Sequence, residues 1–321
     1  MTFDQSLLPV DPSLLYTRND PNDRRLGDVV LRDPDAYVDA DAVVIGCPQD
    51  EGVARNRGRV GAREAPTEIR RALYRYPVTE FHEHLKLLDL GDVRIADTLE
   101  ATHDLLHAVV RQLVHDGKKV VILGGGNDIS FPDCSALAAE TRAVLAFNID
   151  KHLDVRADVP RNSGTPYRQL LEGGHVQPDL FHEVGTNSFA NSLTYRRWVE
   201  GLGAHVHYLG DLREAGVGKT VDAIVRDSRA DAIFFGFDLD VVRAVEAPGV
   251  SDPTPMGLTA REICEIADVA SRDPRTRIIE ITEVNPRFDR DGITSKLAAN
   301  IVMRALASTT HTGSCPGADR T

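Results

Sequence analysis

Two short clusters of acidic side chains, far apart in the chain, have the spacing of a metal site. The first contains Asp150, His152 and Asp154, and the second contains Asp238 and Asp240. Each cluster follows an apolar run, and side chains two positions apart on an extended chain point to the same face. Four carboxylates brought together in this way could not all stay ionised without positive charge among them. The two clusters therefore predict a site for two divalent cations.

The types of ligand in the two clusters indicate which metal is expected. Carboxylate oxygens with a single imidazole suit Mn²⁺ better than Zn²⁺, and no cysteine lies near either cluster. The alternative interpretation is that these acids cap helices or solvate strand ends. The joint occurrence of two such clusters favours the metal site over that alternative.

Apolar runs alternate with amphipathic stretches along the chain, which is typical of a parallel sheet covered by helices on both faces. We therefore predict an α/β fold, a three-layer αβα sandwich with a parallel sheet of about eight strands. Ligands are expected beyond the carboxyl ends of the strands. The predicted strands are Ala42–Cys47, Leu85–Leu88, Lys119–Leu123, Ala143–Ile149, His182–Val184, His205–Leu209, Ala232–Phe237 and Arg277–Val284. The predicted helices are Ala62–Tyr76, Leu99–Asp116, Leu193–Gly201, Val217–Ser228, Thr259–Ser271 and Ile293–Ser308.

Composition and charge narrow the class of protein. The chain has 321 residues, of which 42% are hydrophobic, which suits one large α/β domain or two small ones, and a single domain over residues 29–308 is preferred. Residues 1–28 are predicted to be an N-terminal extension, and 309–321 a flexible tail. A formal charge of −12 argues against nucleic acid as a partner, and no apolar stretch suits a signal peptide or a membrane span. Four widely spaced cysteines are typical of reduced thiols in the cytoplasm. We expect a small-molecule substrate and a homo-oligomer.

Four blocks of sequence resemble the ureohydrolases, the family of arginase, agmatinase and formimidoylglutamase. These blocks are Gly124–Ser130, Asp150–Asp154, Asp238–Asp240 and Glu283–Pro286, and they occur in the family's order. Three further blocks look more like the formimidoylglutamase branch than like arginase: Asp50–Ala62, Ser163–Gln169 and Ala247–Ser251. The resemblance spans most of the chain and implies the arginase-like sandwich.

The resemblance also implies a metal centre with two Mn²⁺ ions per subunit. Asn127 stands where the family pattern has a histidine, and an amide oxygen is a weaker ligand than imidazole. Three outcomes are therefore open for the first ion: it is loosely held, it is held with the help of Asp128, or it is absent. Lys151 is expected to point to the opposite face of its strand. The resemblance implies that Asp150 and Asp238 bridge both ions, that Asn127 and Asp154 complete the first site, and that His152 and Asp240 complete the second.

The activity that the resemblance implies is hydrolysis of the amidine C–N bond of N-formimidoyl-L-glutamate to L-glutamate and formamide. A hydroxide that bridges the two ions would be the nucleophile, since metals lower the pKa of bound water. Asp154 is the expected proton shuttle, and Glu283 is expected to orient the amidinium. The two substrate carboxylates favour planar guanidinium partners. The expected substrate-binding residues are Arg156, Ser163, Arg168 and Asn187.

Two alternatives stay open. Another ureohydrolase could act on a guanidino acid such as guanidinobutyrate, whereas cationic agmatine fits poorly with Arg156, Arg161 and Arg168 near the site. A non-catalytic homologue that has lost a metal through Asn127 is the second alternative.

Overall fold

A nine-stranded sheet runs through residues 6–307, which are the residues that this computed structural model describes. Its strand order is β1-β3-β2-β4-β9-β8-β5-β6-β7, and all neighbours are parallel except β1 and β3. The predicted flexible tail, 309–321, lies outside the described residues. The strands are β1 (Leu7–Leu8), β2 (Ala42–Gly46), β3 (Leu87–Val93), β4 (Lys119–Leu123), β5 (Val144–Ile149), β6 (Phe181–Thr186), β7 (His205–Tyr208), β8 (Ala232–Asp238) and β9 (Thr276–Thr282).

The eight predicted strands are the eight parallel strands of this sheet, so the predicted parallel sheet is confirmed. The additional strand comes from the N-terminal extension, where Leu7 lies opposite Val93 on β3 in an antiparallel pair. A strand of two residues has no alternation that a sequence pattern could reveal. The extension therefore covers one edge of the sheet.

Helices cover both faces of the sheet, which confirms the three-layer sandwich. Along β8, the side chain of Phe234 packs in one hydrophobic core, and Phe235 and Phe237 pack in the other. No helix among residues 6–307 has the length and apolar character needed to cross a membrane. The helices are α1 (Leu26–Val29), α2 (Glu51–Arg55), α3 (Ala65–Leu73), α4 (Leu99–His115), α5 (Ser130–Glu140), α6 (Pro166–Glu172), α7 (Leu193–Gly201), α8 (Leu209–Ala215), α9 (Val217–Asp227), α10 (Ala260–Arg272) and α11 (Ile293–Leu306).

The strand order gathers the chemically active segments at one edge of the sheet. Strands β4, β9, β8 and β5 are consecutive neighbours, so their carboxyl ends lie side by side. Ile149 is paired with Phe237, which places the residues after β5 and after β8 next to each other. The backbones approach closely here, because a Cβ atom at Gly125 would lie 1.6 Å from the carbonyl oxygen of Gln49. Glycine is therefore required at position 125.

Candidate metal centre

The first acidic cluster lies in the turn that follows β5. Asp150 is buried, and its Oδ1 accepts a hydrogen bond of 2.8 Å from the backbone N–H of His152. Asp154 has a φ of 44°, in the left-handed region that non-glycine residues seldom adopt. Strained backbone of this kind concentrates at functional sites. The turn directs three potential ligands to the same side.

The second cluster lies at the end of β8. Asp238 and Asp240 are both buried, and Asp238 Oδ1 accepts a hydrogen bond of 2.9 Å from the backbone N–H of Asp240. Across the gap to the first cluster, His152 Nδ1 lies 3.4 Å from Asp240 Oδ2. The two clusters that the sequence singled out are therefore in contact in the folded chain.

The ligand atoms of the two clusters form two groups that share Asp150. One group contains Asp150, His152 and Asp240, and the other contains Asp150, Asp154 and Asp238. Within each group the ligand atoms lie within 4.8 Å of one another. Two groups with a shared carboxylate can hold two cations close together.

The electrostatics of the centre favour bound cations. Burial and the neighbouring carboxylate of Asp240 raise the pKa of Asp150. Burial and Asp240 also raise the pKa of Asp238 well above its usual range, while burial and Asp150 raise the pKa of Asp154 to about 7. Burial opposes protonation of His152, but Asp240 and other carboxylates raise its pKa well above the usual value. Divalent ions would relieve this mutual repulsion.

Asn127 lies beside the centre, with its amide nitrogen toward the first cluster. Its Nδ2 donates to Asp154 Oδ2 at 2.7 Å, and its Oδ1 accepts from Ser130 and Thr282. In this orientation a donor, rather than the amide oxygen expected of a ligand, faces Asp154. The role of Asn127 as a direct ligand stays a prediction that this geometry does not favour.

Asp128 is held by neighbours outside the two ligand groups, and its help in holding the first ion stays a prediction. Its Oδ2 lies 2.7 Å from His103 Nε2 and accepts a 2.7 Å hydrogen bond from Gln49. The chain enters a short 3₁₀ turn at Asn127, and consecutive side chains therefore diverge.

Glu283 follows β9 and is buried, with a left-handed φ of 61°. Its Oε1 accepts a hydrogen bond of 2.7 Å from the backbone N–H of Asn127. Burial raises the pKa of Glu283 to about 8. The structure thus brings this predicted catalytic carboxyl to the same edge of the sheet as the two clusters.

A cavity of about 190 Å³ opens directly onto the centre. His152 and Asp154 of the first cluster line it, together with Arg156, which is one of the predicted substrate-binding residues. Arg156 also lines an adjoining, more open cavity of about 540 Å³ at the surface. The remaining lining residues of the inner cavity are Asn56, Leu153, Val155, Ala190, Asn191, Ser192 and Tyr195.

The other predicted substrate-binding residues do not line the inner cavity. Ser163 lies behind its wall, where its Oγ accepts a 3.0 Å hydrogen bond from Asn56. Asn187 forms a turn, since its Oδ1 accepts from the backbone N–H of Phe189. Their roles in binding stay predictions.

Among the predicted substrate-binding residues, Arg168 departs most from the position that the sequence suggested. Helix α6 turns its guanidinium toward α7, where it lies 4.2 Å from the centroid of the Trp198 ring. The same guanidinium forms an ion pair of 2.8 Å with Glu172, one helical turn further on. Both neighbours hold Arg168 away from the inner cavity.

One charged residue near the centre, Arg57, was not singled out from the sequence, and another, Lys151, was expected on the wrong face of its strand. Arg57 is exposed and lines the outer cavity, within the block Asp50–Ala62 that carried the resemblance. Lys151 is buried rather than turned to the opposite face, and its Nζ lies 3.6 Å from Asp240 Oδ2 and 2.9 Å from Asp252 Oδ2. The alternation of a strand no longer applies at Lys151, because β5 ends at Ile149.

The fold and this geometry define the class of protein. The sequence profile of the arginase family matches residues 40–308, and the chain belongs to that family. A relative, the formimidoylglutamase of Salmonella arizonae, is 33% identical over 308 residues, which cover 91% of this chain and 96% of the relative.

Two solved structures are also similar to this chain over most of its length. The formiminoglutamase of Trypanosoma cruzi, determined with Mn²⁺, is 32% identical with a TM-score of 0.83, over 89% of this chain and 98% of that chain. The formimidoylglutamase of Bacillus subtilis is 27% identical with a TM-score of 0.84, over 91% of this chain and 93% of that chain.

Proposed function

We propose that the chain is a manganese-dependent formimidoylglutamase, which converts N-formimidoyl-L-glutamate and water into L-glutamate and formamide. The observation that carries this proposal is the pair of ligand groups that share Asp150 at the floor of a cavity with cationic side chains at its mouth. The names of the relatives and the Mn²⁺ in one of the solved structures support it.

The residues of the centre fit Mn²⁺. The donor set is rich in carboxylate oxygens and contains one imidazole, which suits a hard divalent ion. Asp240 Oδ1 is buried and has no hydrogen-bond partner among residues 6–307, as expected of an oxygen that binds a cation. We assign the ions to Asp150, His152, Asp154, Asp238 and Asp240. When bound, the Mn²⁺ pair would lower the pKa of a water molecule and supply a nucleophile at neutral pH.

Protein side chains supply the remaining chemistry. Asp154 lines the cavity, where it can accept a proton from the attacking water and pass it to the departing amine. Asn127 Nδ2 donates a hydrogen bond to Asp154 Oδ2, and this bond fixes the orientation of the carboxyl group that would carry the proton. Glu283 is held by the backbone of Asn127, and we assign it to the cationic amidinium.

The cavity mouth favours a substrate with two carboxylates. Arg57 and Arg156 are exposed, line the outer cavity and have no ion-pair partner among residues 6–307. Arg55, the third arginine that lines the outer cavity, is already paired with Glu51 and Glu100. Two uncompensated guanidinium groups suit two carboxylates through charge-assisted hydrogen bonds. We therefore assign carboxylate recognition to Arg57 and Arg156.

A guanidino-acid hydrolase is the nearest alternative, and a choice of substrates separates the two. N-formimidoyl-L-glutamate has two carboxylates and releases formamide, whereas 4-guanidinobutyrate has one carboxylate and releases urea. We expect kcat/KM to be higher for formimidoylglutamate by roughly tenfold or more, about the contribution of one charged hydrogen bond. Faster release of urea from guanidinobutyrate would contradict the proposal.

Cys47, Cys134 and Cys264 are buried free thiols, and we infer a cytoplasmic location from them. A homo-oligomer stays a prediction, which light scattering on the purified protein would test.

A further inference from the structure

Three histidines lie together at one end of the sheet, away from the strands that carry the acidic clusters. His182 is the second residue of β6, and His205 and His207 belong to β7, the last strand at this end. The ring of His182 stacks on that of His205, with the two centroids 4.5 Å apart. His182 Nδ1 lies 3.0 Å from His207 Nε2, so the two imidazoles share a hydrogen bond. We call these three residues the histidine cluster.

The hydrogen bond between His182 and His207 limits the number of protons that the pair can hold. One of the two facing nitrogens must carry a proton, and the other must be free of one. Two neutral rings satisfy this condition. If both rings were protonated, two N–H groups and two positive charges would face each other across 3.0 Å, and the bond would be lost. Acid therefore acts against this contact.

No carboxylate compensates a positive charge inside the histidine cluster. None of its three imidazoles forms an ion pair among residues 6–307. His182 is buried, and the centroid of its ring lies 5.5 Å from that of Phe147 on β5. Burial, His207 and His205 lower the pKa of His182 to about 3, and burial and His205 lower the pKa of His207 to about 4. Both rings are therefore neutral in the folded protein at pH 7.

A cavity of about 700 Å³ borders the histidine cluster and one face of α9. Its other lining residues are uncharged, apart from two acids and two cations that are all exposed and whose charges balance: Asp179, Lys219, Asp227 and Arg229. None of the four residues of β7 is fully buried, whereas all six residues of β5 and all six of β6 are. Strand β7 therefore lacks the apolar packing that holds the inner strands, and such elements are the first to open locally.

The attachment of β7 also concerns the inner cavity beside the metal centre. Strand β7 is paired with β6 alone. Helix α7 leads into β7 through Leu202–Ala204, and Tyr195 of α7 lines the inner cavity. Residues 193–208 thus form one segment that is anchored at its end by the histidine cluster.

We propose that the histidine cluster is an acid-sensitive latch: neutral imidazoles hold β7 against β6, and proton uptake by His182 and His207 opens residues 193–208 at the edge of the sheet. In the opened segment the two histidines have their ordinary pKa of 6.5, so this state binds more protons than the closed state. The closed state is fully favoured above pH 6.5, and it loses stability as the pH falls below that value. The latch does not depend on which reaction the metal centre catalyses.

Hydrogen–deuterium exchange of the Mn²⁺-loaded full chain at pH 7.5 and pH 5.5 tests the latch. After correction for the intrinsic exchange rate, the opening of residues 202–208 should rise at the lower pH. The expected rise is roughly tenfold for each histidine that takes up a proton, and up to about a hundredfold for both. Strand β3 lies at the other end of the sheet and is the internal reference, because it should show no such rise.

The double variant His182→Phe/His207→Phe keeps two aromatic rings and removes both titrating groups. Opening of residues 202–208 in this variant should agree within about twofold at the two pH values. His84→Gln is the matched control, because His84 is an exposed histidine outside the cluster, and it should behave as wild type.

Two results would overturn the latch. One is a corrected opening in wild type that does not change between pH 7.5 and pH 5.5, and the other is a rise in the double variant as large as in wild type. If the double variant does not fold, His207→Phe alone decides, because the loss of one titrating histidine should reduce the rise by about tenfold. An undiminished rise in His207→Phe would then overturn the latch.

Discussion

Replacing Asp154 with Asn should stabilise the metal-free protein at alkaline pH while damaging the metal centre. Burial and Asp150 raise the pKa of Asp154 to about 7, against an ordinary value of 3.8. A carboxyl with a raised pKa stabilises the fold fully below its unfolded pKa, and this contribution is lost as the pH rises through the folded value. Three pKa units correspond to about 4 kcal/mol, and coupling to Asp150 reduces this to about 2–4 kcal/mol.

The side chain of Asn has the same shape and keeps an oxygen for the hydrogen bond from Asn127, so Asp154→Asn removes mainly the charge. We expect the metal-free variant to melt roughly 3–6 °C above wild type at pH 8 and to show only about a third of that gain at pH 5, because pH 5 lies between the ordinary pKa of 3.8 and the folded pKa of about 7. Thermal unfolding after chelation measures this, with Glu214→Gln on exposed α8 as the control for loss of one charge. Equal melting at pH 8, or an equal gain at both pH values, would refute the electrostatic reasoning.

Three further predictions concern substrate, ligands and metal. In steady-state assays, Arg57→Ala and Arg156→Ala should each raise KM for formimidoylglutamate by roughly tenfold or more. Arg168→Ala should leave KM unchanged, because the guanidinium of Arg168 packs on the ring of Trp198. Asp238→Ala should abolish hydrolysis in a folded protein, and detectable turnover above a few per cent of wild type would contradict its assignment as a ligand of the metal centre. Asn127→His should tighten binding of one Mn²⁺ ion in calorimetric titration, since imidazole is a better donor than an amide; equal affinity would mean that residue 127 does not reach the ion.

The fold and the position of the acidic clusters could be predicted from the sequence, because both follow from regular patterns of apolar and polar residues along the chain. Alternation of apolar strands and amphipathic helices requires a parallel sheet, and acids after β5 and β8 must then lie at its carboxyl edge. Asp150 and Asp240 meet there for that reason. The sequence could not show that β5 and β8 are neighbours, and the likeness to the ureohydrolases supplied that step.

Side-chain directions outside regular elements were beyond sequence reasoning. Asp128, Lys151 and Arg168 each point to a place that depends on a partner far away in the chain or on an irregular turn: His103, Asp252 and Trp198, respectively. An arginine in a suggestive block can pack on an aromatic ring just as well as on a substrate. The unpaired state of Arg57 also becomes visible only when its neighbours are known.

We propose that two Mn²⁺ ions in the centre around Asp150 drive hydrolysis of formimidoylglutamate. The most direct measurement is formamide release by chelator-stripped protein during stepwise addition of Mn²⁺, with bound metal measured on the same samples. We expect no release without metal and a plateau when two ions are bound per chain. Release that is unaffected by chelation, or that reaches its plateau with no metal bound, would contradict this proposal.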